Sequence, residues 1–301
     1  MIIKIKIPAF LLLLSVACFR GHAQQIFRMS QFIDHNFIYN PAAAGANANP
    51  SVGLTYKKMW SGIDGGPSTL VLFGDHYFPK MKAGLGAYIY NDVTGPTSRS
   101  GAEVCLSYSV PLSEKRRLMF GLSGQVLQER LNLTDISKYI SGDPLLFGPT
   151  SVTTGDASAG VYYTSPTLNL GASAKQLIES KLQFIKSNVD PNAMLYRHFY
   201  FMGSYNIRVD ESNVLVPNVL VKYLPNSPVD LEAGMKLQFR DQLFLGLSFH
   251  YKQNYILFAG LKLAHRFQIG YSYEQYNTPL SLFDSGGGGN ELMLRYFFGN
   301  L

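Results

Sequence analysis

The feature that most constrains this chain is a one-for-one alternation of apolar and polar residues, repeated over segments of about ten residues along most of its length. A period of two puts successive side chains on opposite faces of a sheet. From Val229 to Arg240 one face carries Val229, Leu231, Ala233, Met235, Leu237 and Phe239, and the other Asp230, Glu232, Gly234, Lys236, Gln238 and Arg240. The split recurs where Phe267, Ile269, Tyr271 and Tyr273 oppose Gln268, Gly270, Ser272 and Glu274. It recurs again where Leu243, Leu245, Leu247 and Phe249 oppose Gly246, Ser248 and His250. Earlier segments repeat it more weakly, as in Val104, Leu106, Tyr108 and Val110 against Glu103, Ser107 and Ser109.

Such segments number about fourteen, near 51–59, 68–78, 82–91, 99–110, 117–130, 156–164, 167–175, 195–209, 213–223, 228–239, 242–252, 254–264, 265–275 and 290–298. An even number suits a closed bacterial membrane barrel. Connections of one parity (79–81, 112–116, 165–166, 210–212, 240–241, 264–265) are short. Those of the other include 60–67, 91–98, 131–155, 176–194 and 276–289, with 224–227 and 253–254 as short exceptions. Short periplasmic turns alternating with longer external loops are the barrel arrangement. A soluble β-sandwich also alternates, but its strands are usually five or six residues long. The 20 Phe and 19 Tyr against one Trp, with 28 Gly, suit sheets with aromatic outer surfaces. The expectation is an all-β, antiparallel transmembrane barrel over 51–301.

The N-terminus is of a different kind. Lys4 and Lys6 precede an apolar run from Ile7 to about Phe19, too short to span a membrane as a helix and laid out as a secretory signal peptide. Gly21 and Ala23 place a cut before Gln24, giving a signal peptide over 1–23. Cys18 after Ala17 is a competing lipoprotein acceptor, disfavoured by Ser15. Removing 1–23 takes Lys4, Lys6 and Arg20 with it and lowers the formal charge from +6 to +3. The basic balance is therefore largely targeting signal, and no nucleic-acid partner is implied. Cys105 is then the sole thiol, most simply a small strand residue. Residues 24–50 lack strand alternation and end in a turn punctuated by Pro41 and Gly45. A tether of that length is long, so the expectation is a segment folded into the periplasmic mouth of the barrel.

Little in the chain points to chemistry. His35, His76, His198, His250 and His265 show no metal-ligand spacing. Ser248 and His250 share a face, yet it is the lumen face, where a nucleophile pair for lipid hydrolysis would be misplaced. Asp230, Glu232, Lys236 and Arg240 read as lumen charges that pair with one another. Gly286–Gly289 lacks the following helix and Lys of a phosphate cradle and reads as a flexible external loop. No catalytic residue, metal or cofactor is expected.

Several short runs nonetheless carry a likeness. They are Met29-Ser30-Gln31 through Asn40-Pro41-Ala42-Ala43-Ala44-Gly45, then Lys57-Lys58-Met59-Trp60 with Gly62 and Gly66-Pro67, Gly84-Leu85-Gly86, Asn91-Asp92-Val93-Thr94-Gly95-Pro96, and the closing Glu291-Leu292-Met293-Leu294-Arg295-Tyr296. In this order and spacing the chain resembles the PorP/SprF family of type IX secretion system membrane proteins. The resemblance implies an outer-membrane barrel of the Bacteroidota working with type IX secretion or gliding machinery. Its partners would be outer-membrane lipid, a secreted surface protein with a C-terminal sorting domain, and a periplasmic peptidoglycan-binding lipoprotein or other type IX components. Asn40, Pro41, Ala42, Gly45 and Trp60 match the family's motif. Turn geometry, and for Trp60 an aromatic anchor at the membrane interface, explain them as well as partner docking does. The alternative reading is a passive channel or hydrophobic-substrate transporter, since about fourteen strands leave a lumen wider than wall side chains fill.

Overall fold

The computed structural model describes residues 26–47, 49–132, 151–182, 194–285 and 287–299. The expected signal peptide lies outside them, as do most of the connection after residue 131 and much of that after 176. The strands are β1 (Ser51–Lys58), β2 (Ser68–Phe78), β3 (Ala83–Thr94), β4 (Thr97–Ser113), β5 (Arg116–Leu131), β6 (Ser151–Thr164), β7 (Leu168–Lys175) and β8 (His198–Tyr205), followed by β9 (Ile207–Arg208), β10 (Asn213–Tyr223), β11 (Asp230–Phe239), β12 (Leu243–His250), β13 (Asn254–Leu263), β14 (Phe267–Tyr276) and β15 (Gly289–Phe297). Each ring strand pairs antiparallel with its neighbours in sequence, and β15 closes on β1 with Ser51 opposite Phe297. The two-residue β9 only extends the edge of β10, so fourteen strands form the closed ring.

The wall is inside-out relative to a soluble protein. Along β1, Ser51, Gly53, Thr55 and Lys57 point inward, while Val52, Leu54 and Tyr56 point out. Leu106 and Leu122 stand 61% and 66% exposed on the outer surface. A sandwich would bury such residues, whereas a barrel in lipid presents them to the acyl chains. Closure also pairs every edge, which a bilayer demands. Polar inward residues such as Glu103, Ser123, Lys175 and Glu274 are buried instead.

The strand boundaries depart from expectation at three places. β3 and β4 run on to Thr94 and Thr97 and meet in a tight turn at Gly95 and Pro96, not in a long loop from 91 to 98. Gly95 takes φ +54° there, a left-handed value that glycine adopts at no steric cost. β6 begins at Ser151 rather than 156, pairing its first residues with the outer end of β5 from Arg130 to Gln125. Apart from Val93 and Val152, both extensions carry polar residues or glycine on both faces, so alternation fades where the sheet leaves the apolar layer. The segment expected at 195–209 is interrupted at Asn206, whose N–H donates to Thr167 O (2.7 Å) and whose side-chain amide donates to Pro166 O (2.9 Å).

The hydrophobic core sits in the lumen. Met29, Phe32, Phe37, Ile38, Tyr39 and Ala42–Ala44 of the N-terminal segment pack against inward-facing Val71, Phe73, Tyr88, Met119, Tyr162 and Tyr200. This segment folds as 3-10 turns at Phe32–Asp34 and Pro41–Ala43 around one helical turn, α1 (Asn36–Tyr39).

Candidate functional site

The N-terminal segment threads the lumen lengthwise. Its last residues lie at the short-turn end of the barrel, where Gly45 N donates to Asp75 (3.2 Å) and Arg117 Nη2 to Ala46 O (2.7 Å). Its first residues reach the long-loop half. Arg28 there contacts the Nδ1 of His250, donates to Asn254 Oδ1 (3.3 Å), and pairs with Glu232 (3.5 Å) and Glu274 (3.7 Å). With short turns periplasmic and long loops external, the segment enters from the periplasmic mouth and extends well beyond it.

Charge fixes this polarity. The outer half of the lumen gathers Asp230, Glu232, Glu274 and Glu291 against Lys57 and Lys222, and the inner half Lys236, Lys262 and Arg295 against Asp75 and Asp241. The segment brings Arg28 to the acidic half and Asp34 to the basic half, where Lys236 Nζ meets both Asp34 oxygens at 2.8 and 2.9 Å. Lys57 adds a cation to the acidic half, donating to Glu274 (2.7 Å) and to Arg28 O (3.2 Å). Ser30 joins the same carboxylates, its N–H donating to Glu291 (2.6 Å) and its hydroxyl to Glu274 (2.6 Å). Burial acts to raise the Asp34 carboxyl, but the Lys236 ammonium and Arg295 outweigh it and hold Asp34 below its ordinary range. Burial pushes His35 down to about 4. The neutral ring donates from Nδ1 to Gln31 O (2.9 Å) and accepts the Thr55 hydroxyl at Nε2 (3.0 Å).

Four of the motif residues come together inside the barrel. Asn40 is fully buried. Its amide donates to the ladder carbonyls of Val161 (3.0 Å) and Ala172 (3.3 Å), and its Oδ1 accepts from Ala42 N (3.0 Å), capping the turn that Pro41 opens. Pro41 and Ala42 lie directly on Gly121 of β5, where a Cβ would overlap the Ala42 backbone. Gly45 turns the chain at φ +69°, with a Cβ there only 2.8 Å from His76 O. These residues touch the chain's own wall.

Trp60 is elsewhere. Its ring packs on inward-facing Tyr276 (centroids 5.9 Å apart) in an outer vestibule of about 690 Å³, an internal position and not that of a lipid-interface anchor. The vestibule loops are tied together. Ser61 N donates to Gly288 O (2.9 Å), while Gly62 N (2.8 Å) and Gly288 N (2.5 Å) donate to the Asp284 carboxylate, so Gly288 is clamped where a flexible loop was expected. Both ring nitrogens of His250 are occupied, Nδ1 by Arg28 and Nε2 by Asp230, which leaves no base for Ser248. No group of three or more His, Cys, Asp or Glu side chains among the described residues is placed to hold a metal ion.

Sequence reading missed Arg28 and Asp34, the two charges that orient the segment. The signal available was that they are the only Lys, Arg, Asp or Glu between residues 24 and 50. It also missed why Gly121 and Gly160 lie on the lumen face. A Cβ at Gly160 would collide with the Asn40 amide.

Solved structures with the same architecture include the toluene transporter TbuX of Ralstonia pickettii, at 9% identity and a TM-score of 0.50 over 87% of this chain and 93% of that one. The P. putida toluene transporter TodX matches at 10% identity and 0.50 over 87% and 93%. The CymD monoaromatic hydrocarbon channel matches at 10% and 0.51 over 88% and 93%. At such identities the likeness shows the fold. No curated protein matches the chain. The family model of the type IX secretion system membrane protein PorP/SprF matches residues 21–296. With nearly its whole length matched, its closed fourteen-strand ring and its lipid-facing apolar surface, the chain belongs to the PorP/SprF family of type IX secretion system membrane proteins and is an outer-membrane β-barrel.

Proposed function

We propose that this barrel serves type IX secretion or gliding as an assembly protein that binds, delivers or anchors surface proteins, and that it catalyses no reaction. The observation that carries this reading is the filled lumen. Residues 26–47 thread the barrel and are held by wall charges, hydrogen bonds and a hydrophobic core, an investment suited to a rigid platform more than to an open conduit. Its contact surfaces for partners are the two ends. The tied outer loops face surface proteins bearing a C-terminal sorting domain, and the periplasmic mouth, where Lys236, Lys262 and Arg295 line a cavity of about 260 Å³, faces a peptidoglycan-binding lipoprotein or other type IX components. Residues 1–23 act as the export signal and 24–50 as the internal segment. The test is gentle detergent extraction of the tagged protein from its native outer membrane, followed by mass spectrometry of what stays bound. A large secreted protein or type IX components retained through the wash are the expected result. A partnerless barrel that conducts ions would transfer the assignment to the channel reading.

A further inference from the structure

We propose that the outer vestibule is a binding pocket for an uncharged guest that presents an aromatic ring beside an amide or hydroxyl group. The cavity of about 690 Å³ lies within the size range of sites that enclose small ligands. Its wall is mixed. Phe27, Met59, Trp60 and Tyr276 supply aromatic and thioether surface, and Thr97 and Asn254 supply hydrogen-bonding groups, Asn254 lying opposite Tyr276 in the β13–β14 ladder. Aromatic rings favour edge or offset packing against another ring, and thioethers pack well at ring edges.

Four of the five charged side chains in the wall, Arg28, Lys57, Arg99 and Glu129, stand in ion pairs, and the fifth, Asp92, is held by a hydroxyl. Arg99 pairs with Glu129 at 2.6 Å, Lys57 with Glu274 at 2.7 Å, and Arg28 with Glu232 and Glu274. Asp92 accepts the Thr69 hydroxyl at 2.5 Å. An anionic guest would meet no uncommitted cation and a cationic one only the hydroxyl-bound Asp92 carboxylate, and either would lose its hydration, so the wall favours a neutral guest.

Trp60 is the adaptable part. It holds φ +47°, a left-handed backbone uncommon for a bulky residue, and its buried Nε1–H has no hydrogen-bond partner among the described residues. Strained, underused side chains of this kind cluster at binding sites. A small swing of the indole toward the cavity lets Nε1–H meet a guest's carbonyl or hydroxyl oxygen. This inference does not depend on the assembly role, because it concerns the pocket's chemistry and is read out on the purified barrel.

Trp60 is the only tryptophan in the chain, so fluorescence excited beyond the tyrosine band reports on the vestibule alone. The probes are 3-phenylpropionamide and 3-phenylpropionate, alike in shape and different in charge, with N-acetylalaninamide as the ringless control. All are water-soluble enough to limit partition into detergent micelles. The amide is expected to shift Trp60 emission saturably with about millimolar Kd, and the carboxylate to bind about tenfold more weakly. Phe27→Ala should weaken the amide about tenfold while the barrel keeps its folded gel mobility. In Trp60→Phe, which keeps a ring and removes the donor, equilibrium dialysis should show a similar loss. A comparison with N-acetylphenylalaninamide identifies the source of the guest. Tighter binding than phenylpropionamide assigns the pocket to an aromatic residue of a polypeptide, and equal or weaker binding to a free small molecule. No saturable shift with any ring-bearing probe, an equal response to N-acetylalaninamide, or an unaltered affinity in Phe27→Ala would each overturn the proposal.

Discussion

Asn40 and the glycines beneath its loop form a lock whose parts are meaningless apart. A buried primary amide brings two N–H donors and an acceptor oxygen that need partners, and here the amide hydrogens go to Val161 O and Ala172 O while the oxygen accepts from Ala42 N. The approach needed for those bonds is available only because Gly121 and Gly160 carry no Cβ. Asn40→Ala therefore removes three bonds and strands Ala42 N in a dry interior, weakening the docking of the segment by about 2–4 kcal/mol. Gly121→Leu acts from the wall, driving a side chain into the Ala42 backbone, at about 1–3 kcal/mol or more. Trypsin measures both. Arg28 is the sole Lys or Arg between residues 24 and 50 and lies deep in the barrel, so cleavage after it requires the segment to leave. Both variants should be cut faster than wild type while β1–β15 stay folded. A wild-type cleavage rate in Asn40→Ala would show that the amide is dispensable to docking.

At the scale of the element, the N-terminal segment is a short charged rod in a lumen of opposite polarity, and its attachment responds to acid. His35 has its ring neutral in place, with a pKa near 4 against 6.5 when free. The released segment binds a proton below pH 6.5 that the docked one refuses until about pH 4, so docking weakens as pH falls across that window, by up to about 3 kcal/mol. Asp34, held low by Lys236 after opposing its own burial, adds a loss of the same sign as pH falls through the carboxylate range. Hydrogen exchange at Met29–Gly45, corrected for intrinsic rates, should accelerate from pH 6.5 downward, and His35→Gln should abolish the first part of that dependence and leave the second. A flat profile in wild type would mean that the imidazole is charged or reaches water in the docked segment. How much of this element was legible follows from its chemistry. Strands such as β11 and β14 could be read directly because lipid and lumen impose opposite demands on alternate residues, and the match there runs to within two residues at each end. The segment has no such two-phase environment. Asn40, Pro41 and Gly45 were visible as turn residues, but Asn40 and Pro41 rest on Gly160 and Gly121 and Gly45 on His76 and Gly84, all distant in sequence, and Arg28 and Asp34 acquire meaning only once the wall charges are placed. Trp60 was misplaced for a related reason: an aromatic next to a strand end looks alike whether it turns to lipid or to the vestibule.

For the whole molecule, fourteen strands enclose more space than their own side chains fill, and residues 26–47 of the chain occupy that space. Full-length protein in planar bilayers should then show little steady conductance. A form keeping the export signal but lacking residues 26–47 should open a pore, because the inward apolar residues that stay behind, such as Phe73, Tyr88 and Tyr200, belong to the wall and lose the segment that packs between them. The charge layout makes a second, sharper expectation. An outer acidic zone around Glu232, Glu274 and Glu291 favours cations, an inner basic zone around Lys236, Lys262 and Arg295 favours anions, and the two act in series on every ion that crosses. The opened pore should discriminate little between potassium and chloride, giving a reversal potential near zero in a salt gradient. Replacing Lys236, Lys262 and Arg295 by Gln should tip it toward cations, since the acidic zone is then unopposed. If the shortened barrel conducts no better than the full chain, the wall has collapsed or the outer loops close the lumen. If the full chain itself conducts steadily, residues 26–47 are not a seal and the channel reading gains the ground that the assembly reading loses.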